Sequence, residues 1–399
     1  MPHCLLDARD YVRRPLWIVA TMLAFACCSE VASAQTEFYD APESLRAGPP
    51  GSLVRQEPMD GAPLGAATYR VLYRSTGLHD EPILVSGVVI VPPGAPPPGG
   101  RPIVAWAHPT SGIVPHCAPS LAIFLFQQIQ GLRSMVAGGY VVAATDYPGL
   151  GTPGPHPYLV GVSEARAVID AVRAAGALPD AGAGRNFTVW GHSQGGQAAI
   201  FTGIIAKDYA PELTLLGVAA AAPATDLATL MGDDLNSVGG KNITAMTLWS
   251  WHRVYDAAID KVVDPRAIPV IDRLAQECVE GPFDLIVRQR TEKPLEQYFL
   301  TVANPSETEP WRSLLATNSP GVIPPEIPVF LAQGTNDQII RPEVTRAYMS
   351  KLCSAGSKVR MVELPNVGHA RAAQASTMAA MDWIAARFAG DAPPSDCSR

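Results

Sequence analysis

The segment FTVWGHSQGG at residues 187–196 decides the fold class of this chain. Its first four residues are typical of a buried strand, a Gly-x-Ser-x-Gly sequence follows at once, and a helical pattern begins at Gln194. A serine between such a strand and helix lies on a sharp turn that exposes its hydroxyl, and the flanking glycines let the two elements approach closely. The segment therefore predicts that Ser193 is a nucleophile at the edge of a sheet.

Other short apolar runs predict the rest of that sheet. Almost continuously apolar stretches suit strands that are buried on both faces, and they occur at residues 102–107, 140–145, 187–190, 215–220 and 328–332. Helical patterns at 121–137, 163–174 and 194–207 separate several of them. Two further strands precede this region, at 67–75 and 83–91, where β-branched and aromatic residues run between turn signals. This alternation predicts an α/β fold with a mostly parallel central sheet and helices on both faces.

One interval is too long to be an ordinary connection. About a hundred residues separate the strand that ends near Ala222 from the strand at 328–332, and their pattern is helical. We interpret residues 224–325 as a helical cap inserted over the sheet edge, between core segments 35–223 and 326–399. The alternative is a second domain with an unrelated role.

Two further residues complete a candidate catalytic triad. A serine hydroxyl needs a base, and the base needs an orienting acid; in α/β-hydrolases the chain order is serine, acid, histidine. Asp337 follows the strand at 328–332, and His369 follows a strand at 359–364. Both therefore lie at the carboxyl end of a strand, on the same sheet edge as Ser193. We predict Asp337 as the acid and His369 as the base.

Several other residues compete for these roles. Asp226 also follows a strand, but a helix N-cap explains it better, and Glu326 precedes its strand and points to the wrong edge. His252 lies in the predicted cap. For the oxyanion hole we predict the backbone N–H groups of Gln194 and Thr110, the second in a loop after the strand at 102–107.

The N-terminus has the pattern of a secretory signal peptide. Arg13 and Arg14 precede an apolar stretch at 16–26, and the small residues at 32–34 form a cleavage signature, so residues 1–34 are predicted to be removed. The remaining cysteines are Cys117, Cys278, Cys353 and Cys397. An even number in an exported chain predicts two disulfides, with three possible connectivities. We favour a Cys353–Cys397 bond that ties down the C-terminal tail.

The sequence resembles the secretory lipase family, a group of exported α/β-hydrolases that includes fungal lipases of the lipase A type and related bacterial esterases. The resemblance rests on the motifs at 191–196, 146–151, 117–120, 223–227, 334–337 and 368–369. It implies a helical lid inserted between two core strands, and a disulfide from the segment after the oxyanion loop to that lid, here Cys117–Cys278. It also implies hydrolysis of fatty-acid esters by a serine, an aspartate and a histidine in the order found here.

We therefore predict a secreted or periplasmic serine hydrolase, a lipase or carboxylesterase, that acts on small-molecule or lipid esters and makes transient contact with a lipid interface. Two alternatives are a serine peptidase of the same fold and a non-catalytic binding protein on a hydrolase scaffold. The net charge of −7 argues against a nucleic-acid partner. No cofactor, metal or obligate protein partner is predicted, because neither metal-ligand spacing nor a phosphate-binding motif occurs.

Overall fold

The computed structural model describes residues 37–235 and 238–397. It divides the chain into two units, Met1–Glu43 and Ser44–Arg399. The described part of the first unit contains a short helical turn at 37–39. All elements discussed below belong to the second unit, and the predicted signal peptide at 1–34 lies outside the described residues.

A nine-stranded sheet organises the described part of the second unit. Its strands are β1 (Leu53–Met59), β2 (Ala67–Thr76), β3 (Pro82–Val91), β4 (Arg101–Ala107), β5 (Val141–Thr145), β6 (Ala183–His192), β7 (Thr214–Ala221), β8 (Val329–Gly334) and β9 (Val359–Leu364). Their spatial order is β1-β2-β3-β5-β4-β6-β7-β8-β9. The pairs from β5 to β9 are parallel, and the first three strands add an antiparallel edge. The predicted mostly parallel sheet is confirmed.

Helices surround this sheet. In chain order, the α-helices of the described residues are α1 (Leu125–Gln128), α2 (Leu132–Ala137), α3 (Gly161–Ala177), α4 (Gln194–Tyr209), α5 (Leu227–Asp234), α6 (Val238–Val254), α7 (Ile268–Ala275), α8 (Pro282–Glu292), α9 (Trp311–Asn318), α10 (Pro342–Ser354) and α11 (Ala372–Phe388). The single helix predicted at 121–137 is two short ones. They are interrupted at Gly131, whose φ of 86° is left-handed and incompatible with a continuous helix.

Strand β1 was absent from the sequence prediction. Its sequence, LVRQEPM, mixes charged and polar residues with a proline, and its side chains are half-buried or exposed. Proline is tolerated in a strand chiefly at a sheet edge, which is where β1 pairs with β2 alone. A strand held mainly by its neighbour's backbone leaves little trace in the hydrophobic pattern.

The long interval between β7 and β8 contains helices α5 to α9, as far as the structure describes it. Two fully buried tryptophans, Trp251 and Trp311, stack with ring centroids 6.4 Å apart at an interplanar angle of 8°. The indole N–H of Trp251 donates to the carbonyl oxygen of Tyr158, in the segment before α3, at 2.8 Å. The buried apolar side chains of these helices are continuous with the hydrophobic core of the sheet, and a buried hydrogen bond adds to the attachment.

Both predicted disulfides are present. Cys117 is bonded to Cys278, so the segment after β4 is joined to the chain just beyond α7. Cys353 in α10 is bonded to Cys397 in the C-terminal tail. No helix among the described residues is both long and apolar enough to cross a bilayer.

Candidate active site

Ser193 lies on a strained turn between β6 and α4. Its φ of 57° and ψ of −118° fall outside the regions that non-glycine residues favour. Glycine is required on both sides because the strand and helix pass so closely. A Cβ on Gly191 would lie 2.0 Å from the carbonyl oxygen of Gly195, and one on Gly195 would lie 2.0 Å from that of Ala107. This geometry projects the Ser193 hydroxyl from the carboxyl edge of the sheet.

The three residues predicted as a triad form a chain of two hydrogen bonds with His369 in the middle. Ser193 Oγ is 2.8 Å from His369 Nε2, and His369 Nδ1 is 2.9 Å from Asp337 Oδ2. Residues that are 176 positions apart in sequence meet because β6, β8 and β9 are parallel and end at one edge. The arrangement lets Ser193 donate its proton to His369, whose Nδ1–H donates to Asp337.

Asp337 is held rigidly at the end of β8. Its side chain is buried, and Oδ1 accepts the backbone N–H groups of Ile339 and Ile340 at 3.0 and 2.9 Å. Gln333 Nε2 donates to Oδ2 at 3.2 Å. Three donors besides His369 thus fix the carboxylate plane and leave Oδ2 facing the imidazole.

The competing residues have other roles. Asp226 caps α5, where its side chain accepts the backbone N–H of Thr229 at 3.0 Å, as the N-cap interpretation predicts. His192 is buried, and its Nε2 lies 3.1 Å from the backbone oxygen of His369. Burial lowers the pKa of His192 to about 3, so the ring is neutral and donates Nε2–H to that oxygen. The sequence did not reveal this contact between His192 and the loop that bears the candidate base.

The two predicted oxyanion donors are Gln194, which directly follows the nucleophile, and Thr110, which lies in the loop after β4. Gln194 is the first residue of α4, where backbone N–H groups lack intrahelical partners. Thr110 lines the same cavity as Ser193, and its hydroxyl is hydrogen bonded to Tyr158 Oη at 2.9 Å. The helix N-terminus also adds positive potential at this point.

A cavity of about 550 Å³ opens onto Ser193 and His369. Most of its surface is apolar. Three of its apolar side chains, Trp106, Leu125 and Ile129, come from the chain between β4 and β5 or from the end of β4 itself. Three others come from helices α6 and α8, in the interval between β7 and β8: Ile243, Met246 and Leu285. Its volume is within the range of pockets that bind small ligands.

The residues of this chain from 125 to 396 match the model of the family described as secretory lipase. The chain belongs to the secretory lipase family. Its relatives include Lipase 9 of Candida albicans, 25% identical over 402 residues and covering 90% of this chain and 83% of that protein. Lipase A of Arthroderma benhamiae is 24% identical, over 84% of this chain and 75% of that protein.

Solved structures show the same fold. The crystal structure of Candida antarctica lipase A superposes with a TM-score of 0.75 at 15% identity, covering 90% of this chain and 87% of that one. Membership of the secretory lipase family makes the chain a secreted ester hydrolase.

This secretory lipase also buries a polar cluster behind the nucleophile, which the sequence prediction missed. Glu164 in α3 and His156 in the preceding loop are both fully buried. Glu164 Oε1 lies 2.8 Å from Gln194 Nε2, which is also 2.8 Å from His156 Nε2. Burial raises the pKa of Glu164 to about 8 and lowers that of His156 to about 3. The available signal was that Glu164 precedes Ala167 and Val168 by three and four residues, which puts a charged side chain on the apolar face of the helical pattern.

We expect Glu164→Gln to change how the stability of this protein depends on pH. The pKa of Glu164 is 4.5 in its ordinary state and about 8 in the folded chain. At pH values between these two, Glu164 holds a proton in the folded chain and releases it on unfolding. The wild-type free energy of unfolding therefore loses up to about 1.4 kcal/mol per pH unit across this window, a loss that Glu164→Gln lacks. Urea unfolding of both proteins at pH 5, 6, 7 and 8 measures it. A difference in stability that stays constant with pH would contradict the assigned protonation.

Proposed function

We propose that this chain is a serine carboxylic ester hydrolase in which Ser193, His369 and Asp337 form the catalytic triad. The observation that carries the proposal is the continuous hydrogen-bond relay from Ser193 through His369 to Asp337, at 2.8 and 2.9 Å. An apolar cavity at the same serine supports an acyl ester as the substrate.

In the first half-reaction, Ser193 Oγ attacks the ester carbonyl carbon while His369 Nε2 takes the hydroxyl proton. The carbonyl π electrons move to oxygen and form a tetrahedral oxyanion, which the N–H groups of Gln194 and Thr110 stabilise. When the C–O bond breaks, His369 returns the proton to the leaving alkoxide. The alcohol departs and an acyl-Ser193 ester remains.

Water completes the cycle. His369 Nε2 removes a proton from a water molecule as its oxygen attacks the acyl carbon, and a second oxyanion forms in the same hole. Collapse of that intermediate breaks the acyl–Oγ bond, and the histidine proton restores the Ser193 hydroxyl. Throughout the cycle Asp337 orients the imidazole and stabilises its positive charge.

The helical segment between β7 and β8 adds apolar side chains to the cavity wall, which supports an acyl chain as the group that the cavity binds. We propose that residues 224–325 are a cap over the cavity, since Ile243, Met246 and Leu285 line it from this segment. Large apolar side chains are also exposed on α8 and before α1: Phe283, Leu285 and Ile286, and Ile123 and Phe124. Exposed apolar groups of this kind favour transient contact with a lipid interface.

We also propose that the chain is exported from the cell that makes it. Residues 1–34 act as a signal peptide that is cleaved after Ala34, and the chain is released to the periplasm or the medium. Two disulfides are consistent with an oxidising compartment.

The test of substrate class is the rate on p-nitrophenyl esters from acetate to palmitate, with the butyryl anilide as the amide counterpart. We expect ester cleavage to exceed amide cleavage by orders of magnitude and to increase beyond acetate, because longer chains bury more apolar surface in the cavity. A rate that increases above the solubility limit of the ester indicates a lipase active at interfaces. A maximum at butyrate indicates a carboxylesterase, and preferential amide cleavage would contradict the proposal.

A further inference from the structure

We propose that Glu164, together with His156, is a positioning residue for the oxyanion hole and acts through the side chain of Gln194. The inference rests on the proposed function, because it concerns the residue whose backbone N–H stabilises the oxyanion. Neither Glu164 nor His156 lies in the wall of the cavity that contains Ser193. Their effect on the reaction is therefore indirect.

The hydrogen bonds of this cluster account for both amide protons of Gln194. His156 Nδ1 lies 2.8 Å from the carbonyl oxygen of Pro148, so the ring carries its proton there and presents a lone pair at Nε2. Gln194 Nε2 donates one proton to that lone pair and the other to Glu164 Oε1, each over 2.8 Å. The side chain is thereby fixed at two points, on α3 and on the loop before it.

Glu164 is itself fixed. Its Oε1 also accepts the backbone N–H of Leu159 at 2.9 Å, so one oxygen bridges the loop before α3 and the first residue of α4. Because Gln194 directly follows the strained Ser193, holding its side chain restricts rotation of the peptide whose N–H faces the oxyanion. Catalysis by such donors depends on their being oriented before the reaction begins.

A buried carboxyl suits this position when it is neutral. Desolvation raises the pKa of Glu164 to about 8, so at neutral pH the group is mostly a carboxylic acid. Its carbonyl oxygen still accepts both N–H groups, and the neutral group adds no negative charge near the developing oxyanion. Glutamine has an equivalent oxygen, whereas leucine has a similar volume and no acceptor.

The test is a double-mutant cycle of Glu164→Leu and Gln194→Leu, with kcat and KM measured on p-nitrophenyl butyrate at pH 7. Each single variant is expected to lower kcat about 10-fold with KM within about twofold, because the donor is misoriented and not removed. The kcat of the double variant is expected to lie within about twofold of the kcat of the less active single variant. This is because both substitutions remove the same contact. Glu164→Gln is expected to keep kcat within about threefold.

Asp170 provides a matched control on the same helix. It is also fully buried and accepts hydrogen bonds from Ser75, Arg173 and Tyr209, away from the cavity. Asp170→Asn is expected to lower the midpoint of thermal unfolding and leave kcat within about twofold. Active-site titration with a fluorophosphonate gives kcat per folded site in every variant.

If the fold-losses in kcat of the two single variants multiply in the double variant, the inference is overturned. A kcat of Glu164→Gln as low as that of Glu164→Leu would overturn it too. If Glu164→Leu does not fold, Gln194→Leu alone is decisive, since it leaves Glu164 in place and an unchanged kcat overturns the inference. A Ser193→Ala variant that remains active refutes the proposed function itself. If Ser193→Ala is inactive and the losses in kcat nevertheless multiply in the double variant, only the role of Glu164 is refuted.

Discussion

Ser193→Ala is expected to lower kcat for ester hydrolysis by about 10⁴-fold or more. The variant lacks the oxygen that forms the acyl-enzyme, and His369 then has no hydroxyl to activate. Removal of the nucleophile from comparable triads leaves only the weak catalysis provided by the oxyanion hole and by substrate binding. Initial rates on p-nitrophenyl butyrate, together with covalent labelling by a fluorophosphonate, measure the loss.

A control serine separates loss of the nucleophile from loss of the fold. Ser350 in α10 is exposed and donates its hydroxyl to the carbonyl oxygen of Arg346 in its own helix, at 3.0 Å. Ser350→Ala should keep the wild-type rate and the label. Retention of more than about one per cent of activity by Ser193→Ala would assign the nucleophile elsewhere, because a true nucleophile has no substitute in this mechanism.

Asp337→Asn is expected to lower kcat by about 10³- to 10⁴-fold while the fold is retained. The new side chain keeps its oxygen on the backbone N–H groups of Ile339 and Ile340, and so turns its NH₂ group toward His369 Nδ1. Histidine then accepts at Nδ1 and carries its proton on Nε2. In that tautomer His369 cannot accept the proton of Ser193.

Asp226 is the matched control for this substitution, because it was the other candidate acid. It caps α5, and asparagine caps helices about as well as aspartate. Asp226→Asn should therefore leave kcat within about twofold and the unfolding midpoint nearly unchanged. Steady-state kinetics on p-nitrophenyl butyrate, with circular dichroism as the check on folding, compare the two variants. Equal losses in both would argue against Asp337 as the orienting acid.

The sequence predicted those parts of the molecule in which local pattern and tertiary position agree. Strands β4 to β8 each contain a buried apolar run that is visible in the sequence, whereas β9 is mostly half-buried or exposed. Each predicted triad residue lies within five residues of the end of β6, β8 or β9. The turn at Ser193 was predictable for the same reason. The approach of Gly191 to Gly195 is a local property of one short motif, whereas Gly195 is also required by its approach to Ala107 at the end of β4.

Features that depend on distant partners were harder to predict. Strand β1 is defined by its pairing with β2, and the interruption at Gly131 depends on a backbone angle that a helical pattern does not encode. The Glu164–His156–Gln194 cluster joins residues 8, 30 and 38 positions apart across two elements and a loop. Spacing within one helix or strand gives no sign of such a group.

Under the proposed mechanism, the order of the triad residues along the chain determines when during synthesis the enzyme can become active. A ribosome makes Ser193 and the strand that presents it early, but the histidine that activates it follows 176 residues later. A nascent chain that ends before β8 and β9 has a nucleophile with neither base nor acid. Under the proposed mechanism, hydrolytic competence therefore arises only when the last two strands have joined the sheet.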